Sequence, residues 1–328
     1  MQNIYTDLAM EMAEGLDTDN LTGIEMDVVE QDSTKITTIH VVDEQGANTL
    51  GKPMGSYITI ESPEIKQNNF TAHEEIMGIL VRQLALLRDG LGIDDNGTVL
   101  VIGLGNRDVT PDALGPKVVE GVLVTRHIMG TLPEELLGGL RPISALAPGV
   151  MGMTGIETAE VVKGLVGNVC PQLVIAIDAL AARSINRINQ TIQLTDTGIS
   201  PGAGVGNRRA ALDEATLGVP VIAIGVPTVV DAATFVNDTL DIFLAGMAEE
   251  APEHLRDGAE FFRMLTQLEE QDKYAVIRNS LEPAVGNMFV TPKEIGEVVK
   301  WLAGIIANGI NIAMHKGIDM DDINRFMY

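Results

Sequence analysis

Three stretches near the middle of the chain are apolar at almost every position: Thr98-Val-Leu-Val-Ile-Gly103, Leu173-Val-Ile-Ala-Ile-Asp178 and Val219-Pro-Val-Ile-Ala-Ile-Gly225. Unbroken runs of this length suit strands covered on both faces, as in a parallel sheet. Helical periodicity separates them, over 111–129, 156–169 and 229–247. The alternation predicts an α/β fold with a mostly parallel central sheet flanked by helices, joined by right-handed crossovers. Upstream, Lys35–Val42 and Tyr57–Ile60 are rich in β-branched residues, with Gly, Pro and Asn between them. They predict a peripheral N-terminal antiparallel strand pair. Over 71–90 the apolar positions Ile76, Ile79, Leu80, Leu84 and Leu87 carry the spacing of an amphipathic helix. The C-terminal third reads as helical, most clearly over 292–315, with Thr291 as cap and Pro292 in the first position. Residues 1–34 are acidic and poor in branched apolar side chains, which predicts a mobile or peripheral arm. No repeat or internal linker stands out, so the chain reads as one compact unit.

Charge narrows the partners. The 328 residues hold 46 Asp+Glu against 22 Lys+Arg, a formal charge of −24, with a pI near 4.4. A field of that sign repels nucleic-acid backbones and anionic membranes, so neither is an expected partner. The single cysteine, Cys170, excludes an internal disulfide and a thiolate zinc cage, which fits a reducing cytoplasm. The first residues have neither a basic nor an apolar region of a signal peptide, and no run of about eighteen uninterrupted apolar residues spans a membrane. An apolar content of 45% with a mean hydropathy of +0.17 is high for so charged a chain. Subunit interfaces are an expected destination for the excess.

In an open parallel sheet, chemistry gathers at the carboxyl ends of the strands. Asp178 ends the run LVIAID, and Asp112 follows the strand closed by Gly103, in the first turn of a helix if Thr110 is its cap. Taken singly, each has an ordinary role, one complementing a helix dipole and the other capping the next helix. Taken together they project from one rim. Two acids in one site do not both ionise easily, so one keeps a proton while the other activates water. Asp112, nearer a helix N-terminus, is expected to be the base, and Asp178 the acid.

Other signals are weaker. Gly202-Ala-Gly-Val-Gly206 resembles a phosphate-cradling loop but lacks the G-x-G-x-x-G spacing, and Gly103-Leu-Gly-Asn106 has Asp108 where a third glycine belongs. Asp196-Thr-Gly198 reads as a turn. The five histidines (40, 73, 127, 254 and 315) show no metal-ligand spacing, so no metal and no other cofactor is expected. His127 is expected near a helix end and Ser184 on a helix surface. No G-x-S-x-G elbow is present. Cys170 reads as a buried structural thiol, and Met151-Gly-Met153 as a flexible loop.

Several blocks together resemble the germination protease family of spore-forming bacteria. They are Val101-Ile-Gly-Leu-Gly-Asn106, Val109-Thr-Pro-Asp-Ala-Leu-Gly-Pro-Lys117, Ala147-Pro-Gly-Val-Met-Gly-Met-Thr-Gly-Ile-Glu-Thr158 and Ala176-Ile-Asp-Ala-Leu-Ala-Ala-Arg-Ser184. Asp196-Thr-Gly-Ile-Ser-Pro-Gly-Ala-Gly-Val-Gly-Asn207, Val221–Asp231 and Met288–Glu294 match as well. The similarity runs from Thr6 to about residue 316. It departs at 248–285, shorter than the family usually shows, and the segment before Thr6 is short. The resemblance implies an endopeptidase of the forespore and spore core that degrades small acid-soluble spore proteins during germination. It further implies an inactive zymogen, a homotetramer and no metal, with the family's two essential aspartates falling on Asp112 and Asp178. A looser likeness links the 103–115 region to hydrogenase-maturation endopeptidases, of α/β, phosphorylase-like fold. Those bind nickel through two carboxylates and a His, and no matching His is apparent here.

Tyr5-Thr-Asp-Leu-Ala-Met-Glu11 resembles the segment the family cuts in its own precursor: an acidic residue, a large apolar one, then Ala. Cleavage is expected between Asp7 and Leu8, giving a propeptide of residues 1–7 and a single peptidase domain of 8–328. An alternative for Asp7 is the N-cap of a short helix through Met12. Asp7→Lys is expected to leave the fold intact, as the position looks remote from any core. A second reading of the whole chain, a non-catalytic α/β protein holding an anionic ligand on its glycine loops, stays open at this point.

Overall fold

A computed structural model of the chain describes residues 7–14, 22–131, 133, 137–202, 209–250 and 270–326. Nine strands form one sheet: β1 (Ile24–Gln31), β2 (Thr34–Val41), β3 (Gly55–Glu61), β4 (Val99–Gly103), β5 (Ile143–Leu146), β6 (Leu173–Ala182), β7 (Thr191–Thr195), β8 (Val221–Asp231) and β9 (Phe289–Val290). Their order is β1-β2-β3-β7-β8-β6-β4-β5, with β9 on β8. The expected mostly parallel sheet is corrected here. Only the β8-β6-β4-β5 half is parallel, and every pairing of β1-β2-β3-β7-β8 and of β9 is antiparallel. The expected pair, β2 with β3, does form. It is continuous with the main sheet through β7, which the sequence reading missed.

The parallel half obeys its alternation. On β4 and β6, Val99, Val101, Ile175 and Ile177 face a core shared with α3 (Phe70–Gly90), α4 (Leu114–Gly121) and α10 (Ile295–Met314). The intervening Leu100, Ile102, Val174 and Ala176 face a second core under α6 (Thr158–Val169). This is why these strands are apolar at every position. Helix α3 begins one residue before its expected start, where the Asn69 side chain accepts from the Ala72 amide at 3.3 Å. Helix α10 starts at Ile295, without the Thr291 cap, because the Thr291 hydroxyl donates instead to Thr228 O at 2.9 Å. By length and composition α10 suffices to cross a membrane, yet 67% of its apolar window is buried, as in a core helix. The remaining helices are α1 (Ala9–Ala13), α2 (Glu44–Leu50), α5 (Met151–Thr154), α7 (Glu214–Leu217), α8 (Ala232–Glu250), α9 (Glu270–Val285) and α11 (Met320–Phe326). After β8, β9 alone interrupts the helices among the described residues.

The expected arm at 1–34 is the larger correction where it is described, residues 1–6 and 15–21 lying outside the described residues. Leu8 and Ala9 are wholly buried, and 24–31 form an edge strand of the sheet. Two small elements also differ. The expected helix 111–129 is a 3-10 turn at Thr110–Asp112, then α4, then a second 3-10 turn holding His127. Cys170 is exposed, in the left-handed residue that ends α6, rather than buried at the start of a strand.

Candidate active site

Strand β6 does not stop at Asp178. It runs on to Ala182, while its neighbour β4 ends at Gly103 opposite Ile177. Asp178 therefore sits in mid-strand, at the level where one side of β6 loses its partner. It is 6% exposed, and its Oδ1 accepts from the Ala179 amide at 2.9 Å. In β8, Thr228 is an extra residue between Pro227, paired with Leu180, and Val229, paired with Ala181. A bulge of this kind re-aims backbone next to a site.

Asp112 reaches the same place from the loop after β4. It closes the 3-10 turn, and its Oδ2 accepts from the Asn106 amide at 2.8 Å. Thr110 is not a cap; it lies within the turn. The glycines of this loop have a packing reason. Gly105, at φ +107°, lies so close to Asp112 that a Cβ there would strike its backbone oxygen, and Gly103 and Gly115 meet backbone to backbone. The run thus lets a loop cross a helix start, which accounts for it without a phosphate. Of Gly202–Gly206, residues 203–206 lie outside the described residues.

The two carboxylates line one cleft of 390 Å³, together with Asp7, Gly105, Thr228 and Arg209. Burial holds Asp178 well above the usual carboxylate range, and the charges of Asp112 and then Asp7 push it further. Burial also raises Asp112, opposed by the Asn106 amide and by Arg209. Arg209 acts on both acids. It was not among the sequence candidates, although a cation beside a glycine run in so acidic a chain was a usable signal. Asp196 is a structural connector, its Oδ1 accepting from the Ser56 amide at 2.7 Å. Ser184 begins a 3-10 turn rather than lying on a helix surface, and Met151–Thr154 is a short helix. Among the described residues, no three His, Cys, Asp or Glu side chains converge as a metal set.

Asp7 is anything but remote. Its amide donates to Ala181 O at 3.3 Å, and its Oδ2 accepts from the Ala181 amide at 3.1 Å. Leu8 fills a socket of Leu180, Ala182, Ile188 and Val230. The remoteness on which the expectation for Asp7→Lys rests is therefore overturned. The alternative N-cap role fails too: helix α1 forms, but its cap is Leu8, with no side-chain bond, because the Asp7 carboxylate is spent on β6. Glu11 secures the helix from the other end, accepting from the amides of Arg183 at 2.8 Å and Ser184 at 3.1 Å.

A family model described as "Germination protease" matches residues 3–259 and 246–327. The chain belongs to the germination protease family. It is 45% identical to the germination protease of Clostridium tetani, with 99% of each chain covered. With that of Clostridium perfringens (strain ATCC 13124) the identity is 44% over the whole of both. With that of Bacillus licheniformis it is 41%, covering 99% of this chain and 96% of the relative, in an alignment of 360 residues. The shortness expected at 248–285 is thus relative: the clostridial germination proteases align end to end with this chain. Membership makes the protein a peptidase acting in spore germination.

Proposed function

We propose that this germination protease is made as an inactive precursor, cuts its own Asp7–Leu8 bond, and then degrades small acid-soluble spore proteins with the same cleft. Asp112, ionised, takes a proton from the attacking water, and Asp178, protonated, gives one to the leaving amine. The observation that carries the reading is that Asp7 lines the same cleft as Asp112 and Asp178. A further observation supports the assignment of roles. Asp178 is the more deeply buried acid and is raised the further, although each carboxylate accepts one backbone N–H.

The segment also suggests how the enzyme reads a substrate. The Ala181 amide reads an acidic side chain before the cut, and the Leu8 socket takes a large apolar one after it. Such strand-edge recognition suits an extended stretch of a substrate protein. The working form is a homotetramer in the spore core, and DNA itself is not bound. Light scattering checks the first part: a particle of 35.1 kDa, the mass of one chain, would refute the tetramer. The test of the activity is incubation of processed protein with a purified spore protein, beside Asp112→Asn and Asp178→Asn. Cleavage by the parent and none by either variant is expected, and normal cleavage by both variants would sink the aspartate mechanism.

A further inference from the structure

The carbonyl of Asp7 belongs to the bond that the proposed function cuts, and two side chains from distant parts of the chain donate to its oxygen. Lys52 Nζ, in the loop between α2 and β3, lies at 3.0 Å. Gln193 Nε2, on β7, lies at 3.4 Å. The other end of the same Gln193 amide, Oε1, accepts from the Ala9 amide at 2.7 Å. Gln193 thus brackets Leu8, holding the carbonyl before it and the N–H after it. Register explains how a residue of the antiparallel half reaches this bond. Gly225 of β8 pairs with Asp178 on one side and with Gln193 on the other, so both side chains rise from the same face of the sheet. Gly225 itself brings no side chain between them.

We propose that Lys52 and Gln193 form the oxyanion site of this protease, for its own precursor and for substrates. The inference rests on the proposed cut at Asp7–Leu8. As water attacks, its oxygen bonds to the Asp7 carbonyl carbon, its proton passes to Asp112, and the carbonyl electron pair moves onto the oxygen. The negative charge then lies between an ammonium and an amide N–H. On collapse the pair returns to re-form C=O, the C–N bond breaks, and the leaving Leu8 nitrogen takes the proton of Asp178. The acid pair ends with the one proton it began with. Donors act best at about 2.7–3.1 Å from the developing oxyanion. Lys52 is already within that range. Gln193 comes into it as the carbon becomes tetrahedral and its oxygen leaves the peptide plane. A purely structural pair would hold the precursor segment, and once residues 1–7 have gone only the Gln193 bond to the Ala9 amide would remain, with no effect on the rate.

That difference is the test. Lys52→Met, Lys52→Arg and Gln193→Glu are made in the full chain and processed to completion, with a trace of tagged parent enzyme that is then removed. Cleavage of an added peptide carrying an Asp-Leu bond is then timed at saturation. Gln193→Glu keeps the acceptor for the Ala9 amide and replaces the donor by a carboxylate oxygen, whose charge opposes the oxyanion. The expected result is a fall in kcat of about 100-fold for Lys52→Met and for Gln193→Glu, with KM little changed and recovery in Lys52→Arg. Parental kcat in Lys52→Met and Gln193→Glu would overturn the oxyanion role and leave the pair as anchors. Asp112→Asn, run alongside, separates the two readings: if it cleaves normally the aspartate mechanism fails, whereas if it is dead while Lys52→Met is normal, only the oxyanion site fails.

Discussion

The two halves of the sheet contribute different things to one cleft. The parallel half supplies the acids: Asp178 from the middle of β6 and Asp112 from the loop that follows β4. The antiparallel half supplies the grip, with Gln193 on β7 and Lys52 ahead of β3 both on the Asp7 carbonyl. In the parallel half β4 is buried along its whole length and β6 as far as Asp178, most of their residues in one of two cores, so a carboxylate there is desolvated and its proton is held tightly. In the antiparallel half the N-terminal segment packs on one face, through a cluster of Ala9, Met10, Ile39 and Tyr57, and Gln193, buried like Asp178, spends its amide on that segment. The acids and the clamp thus meet along one face of a mixed sheet.

The comparison breaks most sharply at the acids. Asp112→Asn and Asp178→Asn should each lower cleavage of a spore protein by about 10³-fold or more. A loss confined to one of them would mean that the acids do not work as a pair. The next effect in size is structural. Leu8→Ala empties a fully enclosed socket and should cost the precursor about 2–5 kcal/mol in urea denaturation. An unchanged midpoint would show that the segment is not docked on β6 at all.

A smaller effect, and one that discriminates between the halves, lies in pH. Between the ordinary carboxylate value, near 4, and its raised folded value, Asp178 holds a proton in the folded chain and has lost it in the unfolded chain. Folding takes up protons across that window, so the stability due to this group is full below it and lost as the pH rises through it. Asp178→Asn cannot ionise, so it should melt higher than the parent at pH about 7, with the gap closing towards pH about 4. Melting curves at several pH values check this, and a variant that melts lower throughout would mean that the carboxylate is stabilised by its surroundings. The same raised values predict a bell-shaped rate profile whose acid limb lies above the range of an exposed Asp. At the bottom of the scale, a chelator should leave the rate unchanged. Full inhibition reversed by one specific metal would bring back metal-assisted chemistry.

Much of the parallel half is legible because burial on both faces leaves an unbroken apolar run. Hence β4, β6 and β8 stand out, and with them the rim that carries Asp112 and Asp178. The extension of β6 does not show, since Ala179-Leu-Ala-Ala182 has the composition of a helix and is held in a strand by pairing with β8. β7 is five residues long, and its Gln193 breaks the apolar pattern for a reason that only the fold reveals. The docking of Leu8 and Ala9 is hidden for a similar reason. Their neighbours are acidic, and Asp7 and Glu11 are held by backbone amides of β6 and of the turn that follows it, with Arg187, far along the chain, 3.4 Å from Glu11. Lys52 and Gln193 belong to no motif, and nothing in their spacing joins them.

The most direct measurement is the mass of the chain after incubation, for the parent protein and for Asp178→Asn side by side. The account predicts that the parent loses residues 1–7 and begins at Leu8, while Asp178→Asn keeps its full mass. A parent chain that begins elsewhere, or an Asp178→Asn chain trimmed as fast as the parent, would contradict it.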